Sequence, residues 1–128
     1  MDERVSPEAY VNWATSRRGI RIADVGVAPI VVVSWFPHVV KTLATRMSGV
    51  QSKHWFYAGH PLFKGSVVGQ PCSVCELPVG APGTVMVMEE LIACGAKTII
   101  GIGAAGSLQP TARVGTLLVP TSCESEEG

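Results

Sequence analysis

Charged residues are scarce in this sequence. They make up 16% of the 128 residues, and ten lysines and arginines balance ten aspartates and glutamates, so the formal net charge is zero. A chain without excess positive charge has no bulk attraction to nucleic acid or to an anionic membrane, and we expect neither as a partner. Because 47% of the residues are hydrophobic, intrinsic disorder is excluded as well. The length predicts a single domain over residues 1–128.

A long hydrophobic run is also absent. The longest one begins at Val25 and ends at Phe36, which is too short to cross a bilayer, and glycine, proline and serine interrupt it. The first ten residues carry charges of both signs and have no apolar centre, so we expect no signal peptide. These features predict a cytoplasmic protein without a membrane segment.

Metal ligands are few. Cys72 and Cys75 form one C-x-x-C pair, with no second pair and no matching histidines, whereas a structural zinc site needs four ligands. We therefore expect no metal, and we interpret the four cysteines as small buried apolar residues in a reducing compartment. If Cys72 and Cys75 lie on a strand, their spacing of three residues directs them to opposite faces.

Few side chains are suited to acid–base catalysis. Between Val25 and Cys123 the acidic residues are Glu76, Glu89 and Glu90. Glu89 and Glu90 are adjacent and face different sides of a helix, so their spacing does not make them a catalytic pair. We expect Glu90 to satisfy buried backbone groups or to form a salt bridge. The sequence has no serine or cysteine in a nucleophile-elbow pattern, and the histidines are expected to be structural.

Local signals predict a sequence of alternating helices and strands. Ser6 as N-cap and Pro7 at the first helical position begin a helix that runs to about Arg18 and stops at Gly19. The apolar, β-branched run over 29–35 predicts a strand that is buried on both faces, as in a parallel sheet. The order α-β-α-β-β-α-β-β predicts an α/β fold with a partly parallel sheet.

The remaining elements follow from glycine, proline and apolar spacing. A clear helix extends from Pro82 to Cys94 and ends at Gly95, with an apolar face expected at its positions 85, 88, 91 and 92. The other predictions are a helix from Pro37 to about Ser48-Gly49, strands over 62–69 and 72–77 joined by a hairpin turn at 69–71, a buried strand over 97–102, and a final strand over 114–120.

The richest feature is a loop of small residues that follows the predicted strand over 97–102. In open α/β sheets ligands bind at the carboxyl ends of the strands, and glycines let backbone N–H groups approach a ligand closely. Gly101, Gly103 and Gly106 also match G-x-G-x-x-G, but no helix is predicted to open within the loop, which disfavours a dinucleotide site. A tight turn without a ligand and a cradle for a nucleoside or phosphate both remain open.

Three blocks of sequence resemble a known family. They are VGAPGT at 79–84 with MEELIACGAK at 88–97, TIIGIGAAGSLQP at 98–110, and VGTLLVPT at 114–121. Together they resemble the purine nucleoside phosphorylase and uridine phosphorylase family, which also includes nucleosidases. The resemblance implies a three-layer α/β/α fold around a mixed sheet. It also implies cleavage of the N-glycosidic bond of purine or pyrimidine nucleosides by phosphate or water, without metal or organic cofactor, in dimers or hexamers.

The resemblance also implies which residues bind the substrate. A nucleoside, with or without phosphate, is expected at the loop, and a residue given by a neighbouring subunit corresponds to His54. The candidate substrate-binding residues are therefore Gly103, Ala104, Ala105, Gly106 and His54. No residue of this sequence is assigned as catalytic.

The phosphate-binding positions of the family carry different residues here. The family's glycine and arginine after the first strand correspond to Trp35 and Val39, the arginine at the start of the loop to Gly101, and the loop serine or threonine to Ala104. Phosphate enters a dry pocket when donors and cations offset its desolvation, and valine, glycine and alanine supply no side-chain charge. The loop thus resembles the nucleosidase branch, which uses water.

The resemblance covers the N-terminal half of the family fold, so we expect a partial domain truncated to about half of that fold. Half a mixed sheet leaves strand edges and apolar helix faces uncovered, which predicts a homo-oligomer or pairing with a separate chain that supplies the second half. Two functions remain open. One is a nucleoside-cleaving enzyme that is active in such an assembly, and the other is a catalytically inactive scaffold or nucleoside-binding module.

Overall fold

A computed structural model of the chain describes residues 5–124. The order of elements along the described chain is α1, α2, β1, α3, β2, β3, β4, α4 and β5. The helices are α1 (Pro7–Arg18), α2 (Ile22–Val25), α3 (Pro37–Arg46) and α4 (Ala81–Ala93). The strands are β1 (Ile30–Ser34), β2 (Val50–Gln51), β3 (Leu62–Val67), β4 (Gln70–Glu76) and β5 (Thr98–Ile102).

The strands form one mixed sheet in the order β2-β3-β4-β1-β5. Strand β1 is parallel to both neighbours, so that Val32 lies opposite Val74 of β4 and Ile100 of β5. Strands β2 and β3 are antiparallel to their neighbours. Helix α3 packs on one face of the sheet, and α1 and α4 pack against each other beside the other face. This arrangement confirms the expected three-layer α/β/α fold with a mixed sheet.

Helix α1 begins and ends where its sequence signals predict. The Ser6 hydroxyl accepts a hydrogen bond of 3.1 Å from the backbone N–H of Ala9. Gly19 takes the left-handed conformation with φ of 64°, and its N–H bonds back to the last turn. Both ends of the helix are therefore satisfied by groups within three residues of the boundary, which explains why they can be read from sequence.

The two faces of the sheet have separate apolar layers. Cys72 and Val74 pack with Val40 and Met47 on the α3 face. Cys75 belongs to the larger layer on the opposite face, which also contains Val11, Val25, Val31, Val33, Trp55, Leu62, Leu77, Val87 and Leu91. The expectation that Cys72 and Cys75 point to opposite faces is confirmed. Burial was expected for all four cysteines, but Cys123 is exposed.

The β3–β4 hairpin turns earlier than predicted. The prediction placed the turn at residues 69–71, but Gln70 pairs with Val67 and already belongs to β4. The connection consists of Val68 and Gly69, whose φ values of 50° and 76° are both positive. Two consecutive positive φ values are those of a type I′ turn, whose twist matches the flanking strands. The prediction was wrong because Val68 is a rare residue for this turn.

The predicted apolar face of α4 was also wrong in part. Val87 and Leu91 of α4 are fully buried, whereas Val85 and Ile92 are exposed. Val87 and Leu91 are four residues apart and Val85 and Ile92 are seven apart, so each pair lies on one face and the sequence offers two apolar stripes on one helix. Packing of α4 against α1 selects the stripe that contains Val87.

The end of the described chain departs most from the predictions. Strand β5 was expected to be buried, but it is the edge strand and most of it is exposed. A strand was predicted over 114–120, yet that segment pairs with no strand among residues 5–124 and its leucines and valines lie in solvent. An extended segment becomes a strand only when another strand bonds to it, and none does so here. The short elements α2 and β2 were not predicted.

Residues 5–124 contain four helices. None of the helices there is both long enough and apolar enough to cross a bilayer. No group of three or more histidine, cysteine, aspartate or glutamate side chains converges within the same residues.

Candidate functional site

The three parallel strands end together at one edge of the sheet. Ser34 of β1 is in register with Glu76 of β4 and with Ile102 of β5, so the segments that follow these residues share that edge. The carboxyl edge of parallel strands is where open α/β sheets bind ligands. The predicted loop Gly103–Gly106 begins there, directly after β5.

The indole of Trp35 lies against the end of β5. A Cβ atom placed on Gly101 would be 3.8 Å from Cη2 of Trp35, and one on Gly103 would be 3.4 Å from Cζ3 of the same ring. Because neither glycine has a side chain, the ring packs directly beside the backbone of this strand end. Trp35 is half-buried at the candidate site.

The polar edge of this indole is tied to the start of α4. Nε1 of Trp35 donates a hydrogen bond of 2.9 Å to the hydroxyl of Thr84. That hydroxyl in turn donates to the carbonyl oxygen of Pro78, also at 2.9 Å. The ring is therefore fixed between β1, β5 and the first turn of α4, with its donor satisfied.

The loop itself leaves its backbone donors open. The N–H groups of Ala104, Ala105 and Gly106 have no hydrogen-bond partner among the residues that the structure describes. A Cβ on Gly106 would meet no atom within 4 Å, and its φ is not in the left-handed region. Unpaired N–H groups in a loop of small residues suit a polar or anionic ligand that approaches the backbone.

An acid and a histidine meet at the same sheet edge. Oε1 of Glu76, the last residue of β4, lies 3.7 Å from Nδ1 of His60. This Nδ1 atom is shielded from solvent and has no hydrogen-bond partner within residues 5–124. Strands β4 and β5 are two positions apart in the sheet, which separates their ends by roughly 10 Å. Sequence analysis missed this pair because no motif links the two residues.

The structure does not bring His54 to the loop. His54 follows β2, which lies at the sheet edge opposite to β5. Its carbonyl oxygen accepts a hydrogen bond of 3.0 Å from Nη1 of Arg18. Arg18, Lys53 and His54 line a groove of about 650 Å³ together with the aromatic residues at 55–57. Within this chain the candidate residues therefore form two separate groups.

Glu90 takes part in neither of the contacts predicted for it. Its Oε1 atom accepts a hydrogen bond of 2.7 Å from the hydroxyl of Tyr57, and not from a backbone group or a cation. Burial raises the pKa of Glu90 above its ordinary value. Burial and this hydrogen bond also raise the pKa of Tyr57. Glu90 lies on α4, and Tyr57 lies in the segment between β2 and β3.

A protein-family model matches most of the chain. The model described as "Phosphorylase superfamily" covers residues 29–128. Among curated proteins, the uridine phosphorylase of Escherichia coli strain K12 is 31% identical over 113 residues, which are 86% of this chain and 43% of that protein. The uridine phosphorylase of Haemophilus influenzae is 38% identical over 64 residues, which are 50% of this chain and 25% of that protein.

Two solved phosphorylase structures also superpose on most of this chain. The uridine phosphorylase from Vibrio fischeri ES114 superposes with a TM-score of 0.63 at 27% identity, over 70% of this chain and 37% of that one. The purine nucleoside phosphorylase from Toxoplasma gondii, solved in complex with immucillin-H, superposes with a TM-score of 0.62 at 30% identity, over 72% and 36%. The chain thus spans less than half the length of each of these relatives.

Proposed function

Since the chain belongs to the phosphorylase superfamily, we propose that it supplies part of a site that cleaves the N-glycosidic bond of a nucleoside. The nucleoside lies at the carboxyl edge of the sheet, against the loop Gly103–Gly106 and beside Trp35. The observation that carries this proposal is the row of unpaired N–H groups at Ala104, Ala105 and Gly106. They lie next to a fixed indole, at the sheet edge where α/β folds bind ligands.

The two parts of the site suit the two parts of a nucleoside. Backbone N–H groups donate to sugar oxygens, and the absence of large side chains lets the sugar approach closely. The face of the Trp35 ring is apolar and can pack against a planar base. Because Thr84 holds the indole nitrogen at 2.9 Å, the ring is already oriented before a ligand arrives.

Water is the acceptor that we propose for the sugar. The positions that the family resemblance assigns to phosphate carry Trp35, Val39, Gly101 and Ala104, and none of these side chains is charged. Trp35 and Gly101 are also neighbours, so the indole occupies space next to the position of the missing arginine. A phosphate ion brought there would lose its hydration without gaining a cation, which is strongly unfavourable.

An assembly is part of the proposal. No strand within residues 5–124 pairs with the outer edge of β5, and the exposed Ile100 and Ile102 lie on this strand. The chain exposes 9215 Å², whereas a compact monomer of 13.5 kDa exposes about 6,500 Å². We propose that a second copy or a separate chain covers this surface. His54, at the opposite sheet edge, would then lie at the loop of a neighbouring subunit.

We also propose a cytoplasmic location, because the buried free cysteines suit a reducing compartment.

Base release measured by chromatography tests the activity. The purified protein is incubated with inosine, adenosine, uridine and methylthioadenosine, each with and without phosphate. We expect release of free base and of the free sugar (ribose, or methylthioribose from methylthioadenosine) at the same rate in both conditions. Release that requires phosphate would overturn the assignment of water. Trp35→Phe is the variant to compare with the unsubstituted protein, because it keeps a ring at the site but removes the hydrogen bond to Thr84.

A nucleoside-binding module without catalysis is the second candidate. The observation that favours it is the position of Glu76, since the end of β4 is roughly 10 Å from the loop and no closer strand end carries an acid. Stabilising an oxocarbenium-like transition state needs carboxylates that touch the sugar. Saturation-transfer NMR that detects nucleoside binding, together with no base release, would select this candidate.

A further inference from the structure

A second pocket lies between α1 and α4, and the proposed nucleoside site does not use it. Its volume is about 380 Å³, and its wall includes Pro7, Tyr10, Tyr57, Met86, Glu89 and Glu90. Most of this wall is apolar or aromatic, yet it contains two adjacent carboxylates. Among residues 5–124, the wall includes no arginine, lysine or histidine. The pocket therefore combines apolar surface with negative charge.

The carboxyl group of Glu90 is incompletely satisfied. The residue is 5% exposed, and Oε1 accepts from the Tyr57 hydroxyl at 2.7 Å. Oε2 is closed off from solvent and has no hydrogen-bond partner within residues 5–124. Native proteins pair nearly all of their buried polar atoms, so an unpaired carboxylate oxygen in a pocket wall indicates a missing donor.

The missing donor should carry positive charge. Glu90 is in none of the ion pairs formed by the described residues. The negative charge of Glu90 acts on two neighbouring tyrosines, since it contributes to raising the pKa of Tyr10 and of Tyr57. A cation that donates an N–H group would compensate the carboxylate and fill the acceptor at Oε2. The neighbouring tyrosine rings add attraction for a cation through their π faces.

We propose that this pocket binds a small primary amine with an apolar body, whose ammonium group donates to Oε2 of Glu90. Its apolar part packs on Met86 and Pro7. The terminal torsion of a glutamate side chain has a broad, shallow profile, so a small rotation turns Oε2 toward the ligand. This site depends on neither the loop Gly103–Gly106 nor the proposed nucleoside chemistry.

Isothermal titration calorimetry of the full chain with three matched probes tests the ligand class. The probes are 2-phenylethylamine, 2-phenylethanol and 3-phenylpropanoate, which share an aromatic body and differ in charge. We expect the amine to bind at least about tenfold more tightly than the alcohol, and the carboxylate to bind least. Equal binding of amine and alcohol, or no binding of the amine, would overturn the proposal.

Two variants that remove the same charge locate the interaction. We expect Glu90→Gln to weaken amine binding by about tenfold or more, since it replaces the buried acceptor by an amide. Glu89→Gln should weaken it less than about threefold, because Glu89 is exposed and its charge is screened by water. Equal losses in the two variants would mean that general negative charge attracts the amine, which contradicts a specific site.

A measurement on the unmodified protein covers the case in which Glu90→Gln does not fold. With methionine methyl groups labelled by ¹³C, the amine should shift the Met86 resonance, because this side chain lines the pocket. Met47 is the internal control, since it is buried in the layer on the other face of the sheet. A shift of Met47 equal to that of Met86, or no shift of Met86, would contradict the proposed position.

Discussion

The indole nitrogen of Trp35 donates a hydrogen bond of 2.9 Å to the hydroxyl of Thr84, although 49 residues separate them in the sequence. This contact joins the end of β1 to the first turn of α4. It also holds the ring against the glycines at the end of β5. One side-chain hydrogen bond thus connects three elements of the candidate site.

Thr84→Val should destabilise the protein by about 1–2 kcal/mol, because the substitution keeps the shape and leaves the half-buried indole N–H without an acceptor. Urea unfolding followed by circular dichroism measures the change. Thr42→Val is the control, since Thr42 is exposed and bonds only within its own helix. We expect its effect to stay below about 0.5 kcal/mol. Equal effects of the two substitutions would contradict a specific role of the Trp35 contact.

Gly106→Ala should weaken nucleoside binding and leave the stability of the fold nearly unchanged. An added methyl group meets no protein atom within 4 Å, so the stability should change by less than about 0.5 kcal/mol. If a nucleoside approaches the loop backbone as proposed, the same methyl group occupies its space and weakens binding by about tenfold. Saturation-transfer NMR with inosine and uridine measures the affinity.

Gly59→Ala is the matched control for that experiment. Gly59 also has no atom within 4 Å of an added Cβ, and it lies in the segment between β2 and β3. Its substitution should leave both stability and nucleoside affinity unchanged. Unchanged affinity in Gly106→Ala as well would place the ligand away from the loop.

Ionisation of Glu90 should lower the free energy of unfolding as the pH rises. Burial raises its pKa in the folded chain above the ordinary value of 4.5, so the folded state holds a proton that the unfolded state releases. This contribution is fully present below pH 4.5 and is lost as the pH rises through the raised pKa. Glu90→Gln is neutral at every pH, and its amide oxygen can still accept from Tyr57. Its stability relative to the unsubstituted protein should therefore increase from acidic to neutral pH.

Urea midpoints measured across that pH range test this sign. Glu89→Gln removes an adjacent charge of the same kind from an exposed position, so it should not reproduce the trend. A stability difference between Glu90→Gln and the unsubstituted protein that stays constant with pH would contradict the raised pKa.

Val68→Asn should stabilise the protein by about 1 kcal/mol. Val68 has φ of 50°, where a β-branched residue is strained, and asparagine followed by glycine is the preferred pair in this type of turn. The side chain is 97% exposed, so no packing is lost. The urea midpoint should rise without a change in the slope. Val79→Asn, at a loop position that is 87% exposed and lacks a positive φ, should have little effect.

The sequence predictions were correct where the signal acts over a short distance along the chain. The limits of α1 are set by Ser6, Pro7 and Gly19, which act on backbone groups within one turn, and their positions were predicted correctly. The parallel pairing of β1 was indicated by its continuous apolar run. Both signals are local, so they do not depend on what the rest of the chain does.

The errors arise where tertiary contacts choose between equivalent options. The sequence of α4 has two apolar stripes, and only packing with α1 decides that Val87 faces inward while Val85 does not. The segment 114–120 has the composition of a strand, but strand formation needs a partner that the described residues do not supply.

Local and long-range signals also differ at the candidate site. The loop Gly103–Gly106 could be proposed as a candidate because glycine spacing after a strand is a local pattern. The contacts of Trp35 with Thr84 and of His60 with Glu76 join distant segments and have no sequence signal. The neutral side chains at positions 35 and 101 were each visible in the sequence, but their contact was not.

Because Cys72 and Cys75 point to opposite faces of the sheet, their thiols can report separately on local unfolding at each face. Each thiol belongs to a different apolar layer, and burial raises the pKa of Cys75 to about 12 and also raises the pKa of Cys72. A thiol protected in this way reacts only during excursions that expose it. Alkylation rates of the two residues would therefore time the opening of the α3 layer and of the α1–α4 layer separately, from two neighbouring positions on one strand.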